Sequence, residues 1–265
     1  MSGTIVDRRA LLLGMGAVGL DLALGRRAAR AAVPPPRFAP LRFVYADNVV
    51  PFSYADADGN ATGLLKDDVD VVTATAGYSQ TTSLMPWGRA QATVRAGQAD
   101  GFCTVPSADR AVYVQFCLQP VMTSDIGIWH RRDDDRFKAI GSLEELAAFR
   151  LGSYVGNGWA TEHMDAIPTL AVVPDPVSVL KMVAAGRIDA FVHDELQMGY
   201  LARAAGLTGA LTYAPRPFLG TVVRTLAIRR SLPDCAAVVA ALDAAILARR
   251  TDLDALTHRV RLGMA

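Results

Sequence analysis

The sequence predicts an α/β protein built from two similar units, each with a mostly parallel sheet flanked by helices. Three observations carry this. Apolar runs of strand length alternate with stretches of helical periodicity along the chain, the pattern of parallel sheets joined by helical crossovers. The segment Val94-Arg-Ala-Gly97-Gln-Ala-Asp100-Gly-Phe102 recurs 89 residues later as Val183-Ala-Ala-Gly186-Arg-Ile-Asp189-Ala-Phe191, with Val, Ala, Gly, Asp and Phe at identical spacing. In both copies a helix stops at a glycine suited to a left-handed cap, turns at Asp and enters a buried strand led by Phe.

The elements follow in order. Leu41-Arg42-Phe43-Val44-Tyr45 alternates as a strand that ends by Asp47 and opens into the loop Asn48-Val49-Val50-Pro51-Phe52. Loops leaving the C-terminal ends of parallel strands are where ligands bind in such sheets, so Asp47 and Phe52 are candidate ligand contacts. From Gly63 to Gly77, Leu65, Val69, Val72 and Ala76 recur at helical spacing, and Gly77 stands where a helix-ending glycine belongs. The two repeated helices begin at Pro86 and Pro176, the second behind Asp175 as N-cap. The strands that follow run into polar residues suited to gripping one ligand from two sides: Thr104, Ser107 and Arg110 after the first, His193 and Asp194 after the second.

The chain of 265 residues opens with Asp7-Arg8-Arg9 before an apolar run that ends at small residues. This is the form of an export signal. The run is broken by Asp21 and Arg26-Arg27, too short for a bilayer span of about 20 apolar residues. Cleavage after Ala31 is expected, with residues 32–36 as a proline-rich linker; the arginine pair favours a twin-arginine route to the periplasm, with general secretion as the alternative. Removing 1–31 takes the charge from +1 to −2, with 22 basic and 24 acidic residues remaining, which argues against nucleic acid as a partner. Cys103, Cys117 and Cys235 are too scattered for a disulfide framework and read as small buried residues.

Further segments complete a pattern: Val50-Pro-Phe-Ser-Tyr54 with Asp58-Gly59, Pro86-Trp87, Ser107-Ala-Asp-Arg110, Leu151-Gly-Ser-Tyr-Val-Gly-Asn-Gly158, Asp189-Ala-Phe-Val-His-Asp194, and Leu226-Ala-Ile-Arg229-Arg-Ser-Leu-Pro233. In order and spacing they resemble the type II periplasmic solute-binding proteins, in the branch serving polar amino-acid uptake (bacterial extracellular solute-binding protein family 3), over residues 40 to 262. The resemblance implies a two-lobed periplasmic-binding-protein-like fold with two hinge strands. Lobe 1 would combine 37–122 with 219–265, and lobe 2 would be 123–218. A small ligand, an amino acid or related carboxylate, would be captured in the cleft by hinge closure, and a monomer would deliver it to an ABC permease of the inner membrane.

Carried over position by position, Arg110 looks like the fork that takes a ligand carboxylate, with Ser107 donating beside it; a planar guanidinium makes two parallel bonds that Lys cannot. Asp194 looks like the acceptor for a ligand ammonium. Asn157 and Gly158, in the Gly156-Asn157-Gly158 turn, look like a backbone anion site. Trp87 looks like a stacking residue. Each has a competing structural reading: an exposed Arg at a helix start, an N-cap for Asp194, a tight turn for the glycines, burial in the lobe core for Trp87. The chain departs from the commoner pattern in a shorter Asp100–Arg110 stretch, carrying Thr104-Val105-Pro106, and in Val49-Val50 where an aromatic often stacks. These leave the ligand open.

Two other functions are compatible with the sequence. One is a ligand-sensing module of the same fold without transport. The other is a dehydratase acting on a prephenate-like acid, which needs a general acid that His193 or Glu195 would supply. The sequence carries no nucleophile elbow, P-loop or metalloprotease motif. His193-Asp194-Glu195 with distant His163 is a poor metal set, so neither enzyme, cofactor nor metal is expected; His130 and His258 read as surface residues.

Overall fold

A computed structural model describes residues 39–164, 167 and 170–263. The export segment and linker expected at 1–36 lie outside them.

The chain runs β1 (Leu41–Ala46), β2 (Asn48–Val49), β3 (Ser53–Ala55), β4 (Ala61–Thr62), α1 (Leu64–Thr75), β5 (Gln80–Met85), α2 (Trp87–Arg95), β6 (Gly101–Thr104), α3 (Ala108–Ala111) and β7 (Val114–Phe116). It continues through β8 (Met122–Arg131), α4 (Leu143–Leu146), β9 (Leu151–Tyr154), α5 (Gly158–Met164), β10 (Ala171–Val173), α6 (Pro176–Ala184), β11 (Ala190–Asp194), α7 (Glu195–Ala204), β12 (Leu211–Pro215), β13 (Thr221–Arg229), α8 (Cys235–Ala248) and α9 (Arg250–Leu262). The stretch after β1, read from sequence as a loop, carries its own small antiparallel sheet, β2-β3-β4.

The long strands join in the order β10-β9-β11-β8-β13-β6-β1-β5. Pairing is parallel at β5-β1-β6 in one half and at β10-β9-β11 in the other. The two long strands between them, β8 and β13, run antiparallel, with Val222 opposite Ser124 and Arg224 opposite Met122. The fold is thus α/β and two-lobed, and β8 and β13 carry the chain between the lobes.

Alternation along each strand splits its apolar residues between two cores. Leu41, Phe43 and Tyr45 of β1 face a cluster with Val69 and Val72 of α1 and Leu242 and Ile246 of α8, while Val44 faces the other way with Ala90, Val94 and Phe102. In the second lobe Ala190 and Val192 face Phe137 and Leu146, and Phe191 faces Val179, Leu180 and Met198. Each lobe is a sheet between two helical layers. His130, read as a surface residue, is buried: it closes β8 with its ring 4.9 Å from that of Phe137. His258 is exposed. The three cysteines are buried with free thiols.

The sequence repeat is a structural repeat. Gly97 and Gly186 end α2 and α6 at φ 73° and 69°, in the left-handed region. The turn aspartates are then held alike. Asp100 accepts from the backbone N–H of Arg42 (2.9 Å) and its guanidinium (3.0 and 2.8 Å). Asp189 accepts the same set from Arg150 (2.9, 3.0 and 2.9 Å). A second arginine, Arg229 or Arg136, reinforces each. These bonds hold both carboxyls below the ordinary carboxylate range: for Asp189 the Arg150 bond is the main cause, and for Asp100 the arginine bonds outweigh a burial that would raise it. Each Arg–Asp clamp ties the turn between helix and buried strand to a neighbouring parallel strand, β1 through Arg42 and the start of β9 through Arg150. Replacing Asp189 with Ala should destabilise the protein by about 1 to 2 kcal/mol in urea unfolding, and Asp100→Ala by a similar amount, because each loses charge-assisted bonds whose arginine partners are half exposed and screened by solvent.

Asp68 on α1 is fully buried with neither carboxyl oxygen bonded. Burial is the main cause that pushes its pKa up to about 8, helped by the negative charges of Asp67 and Asp254 and opposed by Arg250. The folded state therefore holds a proton that the unfolded chain releases near the ordinary carboxylate value, so stability falls as pH rises from about 4 to about 8. Asp68→Asn should flatten that decline, gaining at least about 1 kcal/mol over the parent at pH 7 relative to pH 4, as read by thermal unfolding across pH.

Candidate functional site

The C-terminal ends of β1 and β6 open on the same side of the first lobe, where a parallel sheet offers a ligand its crevice. There the structure has a cavity of about 200 Å³, lined by Tyr45, Ala46, Val49, Phe52, Ser53, Leu65, Trp87, Cys103, Thr104, Val105, Gln197 and Arg224. Most of these belong to the first lobe. Gln197 comes from the first turn of α7 in the second, and Arg224 from the hinge strand β13.

Local backbone positions the wall. Gly63 sits at φ 115°, and a Cβ there would lie 2.6 Å from the Phe52 carbonyl oxygen. Only glycine lets α1 start against this turn, where Leu64 and Leu65 N–H donate to the carbonyls of Pro51 and Phe52 (2.9 Å each). Phe52 is thereby locked, and Ser53 Oγ donates back to Ala46 O at 2.8 Å. Trp87 opens α2 with its ring edge-on to Phe102 at 5.2 Å. Trp87 packs on the lobe core and also lines the cavity.

The charged centre is at the hinge. Arg224 is 9% and Asp194 2% exposed. Arg224 Nη2 donates to Asp194 Oδ2 at 3.1 Å and Nη1 to Ser124 Oγ at 3.0 Å, while Ser124 donates in turn to Asp194 Oδ2. The guanidinium lies 4.0 Å from the Phe52 ring centroid, a cation–π contact. Asp194 Oδ1 accepts from the N–H groups of Leu196 and Gln197 (2.8 and 2.9 Å), capping α7. Burial alone would raise the Asp194 pKa; the charge of Arg224 and the hydrogen bonds from Ser124 and the α7 amides overcome it and hold the carboxyl below its ordinary value.

The other predicted residues fall as follows. Thr104, Phe52 and Trp87 line the cavity; Arg110, Ser107, Asp194, Asp47, Asn157 and Gly158 are not among the lining residues. Arg110 stands behind the wall: Nη1 donates to Val105 O at 2.9 Å, Nε to Gln91 at 3.1 Å, and its guanidinium lies 5.3 Å from the Trp87 ring. Ser107 caps the short α3 by accepting from Arg110 N. Asp47 closes β1, its N–H donating to Met85 O at 3.2 Å. Asn157 is buried and caps α5 through Ala160 N (3.2 Å), with exposed Gly158 as the helix's first residue. Asp194 spends all four acceptor positions inside the protein, so a ligand ammonium reaching it would have to displace one of those partners.

In the second lobe, His193 Nε2 lies 3.1 Å from Tyr154 Oη, and its Nδ1 is buried without a partner. Burial is the main cause that lowers its pKa to about 4, so the imidazole is neutral at pH 7. Glu195 pairs with Arg261 of α9. No group of three or more His, Cys, Asp or Glu among the described residues is placed to hold a metal, and no described helix is long and apolar enough to cross a membrane.

The profile of bacterial extracellular solute-binding proteins, family 3, matches residues 41–259. The chain belongs to this family. Solved structures agree on the fold. An ancestral cationic amino-acid solute-binding protein aligns at TM-score 0.65 and 21% identity, covering 83% of this chain and 94% of that one. The L-cystine solute receptor of Neisseria gonorrhoeae, in its unliganded open conformation, aligns at TM-score 0.65 and 18% identity over 82% and 89%. The periplasmic VFT2 domain of Bordetella pertussis BvgS aligns at 0.65 and 20% over 83% and 92%. No curated protein matches the chain in sequence.

Sequence reasoning missed several lining residues, among them Gln197 and, with the greatest chemical consequence, Arg224. Its signal was a lone charge inside the run Val222-Val223-Arg224-Thr225-Leu226, which otherwise reads as a buried strand. A charge there needs a partner, and Asp194 is that partner. Asp194→Asn, which keeps the helix cap but removes the counter-charge, should destabilise the protein by about 3 kcal/mol in chemical unfolding; Ser124→Ala should lose clearly less.

Proposed function

We propose that this family 3 protein is exported by its N-terminal signal and captures a small ligand, an amino acid or a related carboxylate, in the cavity between its lobes, for an ABC uptake system. One observation carries the reading: a single cavity takes its lining from lobe 1, from the hinge strand through Arg224 and from lobe 2 through Gln197. A ligand touching all three gains contacts on closing that the open state lacks, and this differential binding is what drives a hinge equilibrium. In this reading lobe 1 is 37–122 with 219–265 and lobe 2 is 123–218. In it, Trp87, Phe52 and Thr104 meet the ligand, and Arg110 and Ser107 brace the Val105 wall.

A sensing module would use the same clamp with a different downstream partner. Catalysis of a dehydratase kind fits poorly: neutral His193 has no proton of the needed acidity to give, and Glu195 is paired with Arg261. A thermal-shift screen of the mature protein against amino acids, amines and small organic acids should find a ligand. At 100 times its dissociation constant it adds about 2.7 kcal/mol. Small-angle scattering should then show a smaller radius of gyration with that ligand, and Trp87→Ala should weaken its binding roughly tenfold or more. Unchanged scattering and undiminished affinity would refute capture by closure at this cavity.

A further inference from the structure

We infer that Arg224 on the hinge strand, rather than Arg110, is the group that recognises a ligand anion, and that the cavity selects apolar-bodied monocarboxylates lacking an ammonium group. The inference deepens the solute-capture reading and rests on it.

Three features of the cavity carry it. Arg224 is the one charged residue among those lining the cavity, and its guanidinium uses two of its five N–H groups on Ser124 and Asp194. The others are left to donate to an oxyanion, and the low-dielectric surroundings strengthen such bonds. Arg110, by contrast, stands behind Val105 and Trp87 with its Nε and Nη1 committed to Gln91 and the Val105 carbonyl.

The second feature is what an ammonium would meet. No carboxylate lines the cavity. Asp194, the acid nearest to hand, is filled by Arg224, Ser124 and the two amides of α7, and Asp47, one residue beyond Ala46, is not a lining residue. The remaining polar groups are neutral: Ser53, whose hydroxyl donates to Ala46 O, then Thr104 and Gln197. An ammonium brought beside Arg224 meets spare N–H donors and no spare carboxylate oxygen, because Asp194 is already spent on Arg224, Ser124 and the α7 amides, a mismatch that a keto or methylene group in its place avoids.

Third, the body of the cavity is apolar. Val49, Phe52, Leu65, Trp87, Cys103 and Val105 surround the space, and Cys103 is no nucleophile because burial raises its thiol well above the ordinary value. A branched or aromatic side chain of modest size fits a volume of about 200 Å³.

The test uses matched probes on the mature protein: 4-methylpentanoate, 4-methyl-2-oxopentanoate, L-leucine and 3-methylbutylamine, by calorimetry and thermal shift. The two acids without nitrogen should bind at least about tenfold tighter than L-leucine, and the amine should not bind. Arg224→Gln alone leaves Asp194 buried and unpaired and threatens the fold, so the informative variant is Arg224→Gln with Asp194→Asn, confirmed folded by circular dichroism. It should weaken the acids by about tenfold or more, a larger loss than Arg110→Ala causes. L-leucine binding as tightly as its oxo acid, or acids binding the double variant undiminished, would overturn the inference. Were other solutes in a broad screen to bind while all four probes fail, the inference would fall and solute capture would stand. Failure of every solute would sink both.

Discussion

The buried Arg224–Asp194 pair is the constraint on which the rest of the site depends. Two opposite charges are taken out of water where the hinge strand, the first lobe's Phe52 turn and the start of α7 converge. Such a pair is tolerated only when its remaining donors and acceptors are satisfied, and here Ser124 and two helix amides complete the carboxylate. The arrangement fixes three elements against one another by charge and hydrogen bonds, beside the apolar contact that Leu196 makes. It also leaves part of a guanidinium facing the cavity, so the group that organises the joint is exposed to whatever enters.

That placement links the fold to its use. Both lobes are built on the same unit, a helix ended by a left-handed glycine, an aspartate clamped by an arginine of a neighbouring parallel strand or its approach, and a buried strand. The clamps make each lobe rigid at its base, while β8 and β13 alone among the sheet strands tie them together. α7 begins beside Asp194, sends Leu196 into the first lobe's core and pairs Glu195 with Arg261 of the C-terminal helix.

Much of the architecture was legible in the sequence, because it rests on local signals. The repeat around Gly97 and Gly186, the Asp175 cap and the helix from Gly63 to Gly77 each depend on a few adjacent residues and backbone geometry. The arginine halves of the clamps were not legible: Arg42 and Arg150 lie 58 and 39 residues before their aspartates, and only tertiary pairing brings them together. His130 misled for a similar reason, since its burial comes from Phe137 folding back over the end of β8. Among the candidate residues, Trp87, Phe52 and Thr104 line the cavity, from a helix start, the loop after β1 and a strand end, which are positions that local sequence marks. Asp194 also stands at a strand end, but its chief partner, Arg224, is 30 residues away on another strand, so its ion pair could not be read locally.

The measurement that tests the account most directly is a crystal structure of the mature protein with a bound solute that stabilises it. The account predicts density for the ligand between Trp87 and Arg224, with Gln197 reaching it from the opposite lobe and the Arg224–Asp194 pair intact beneath. A ligand seated elsewhere, or one lying in the cavity without touching Arg224 or the second lobe, would contradict it.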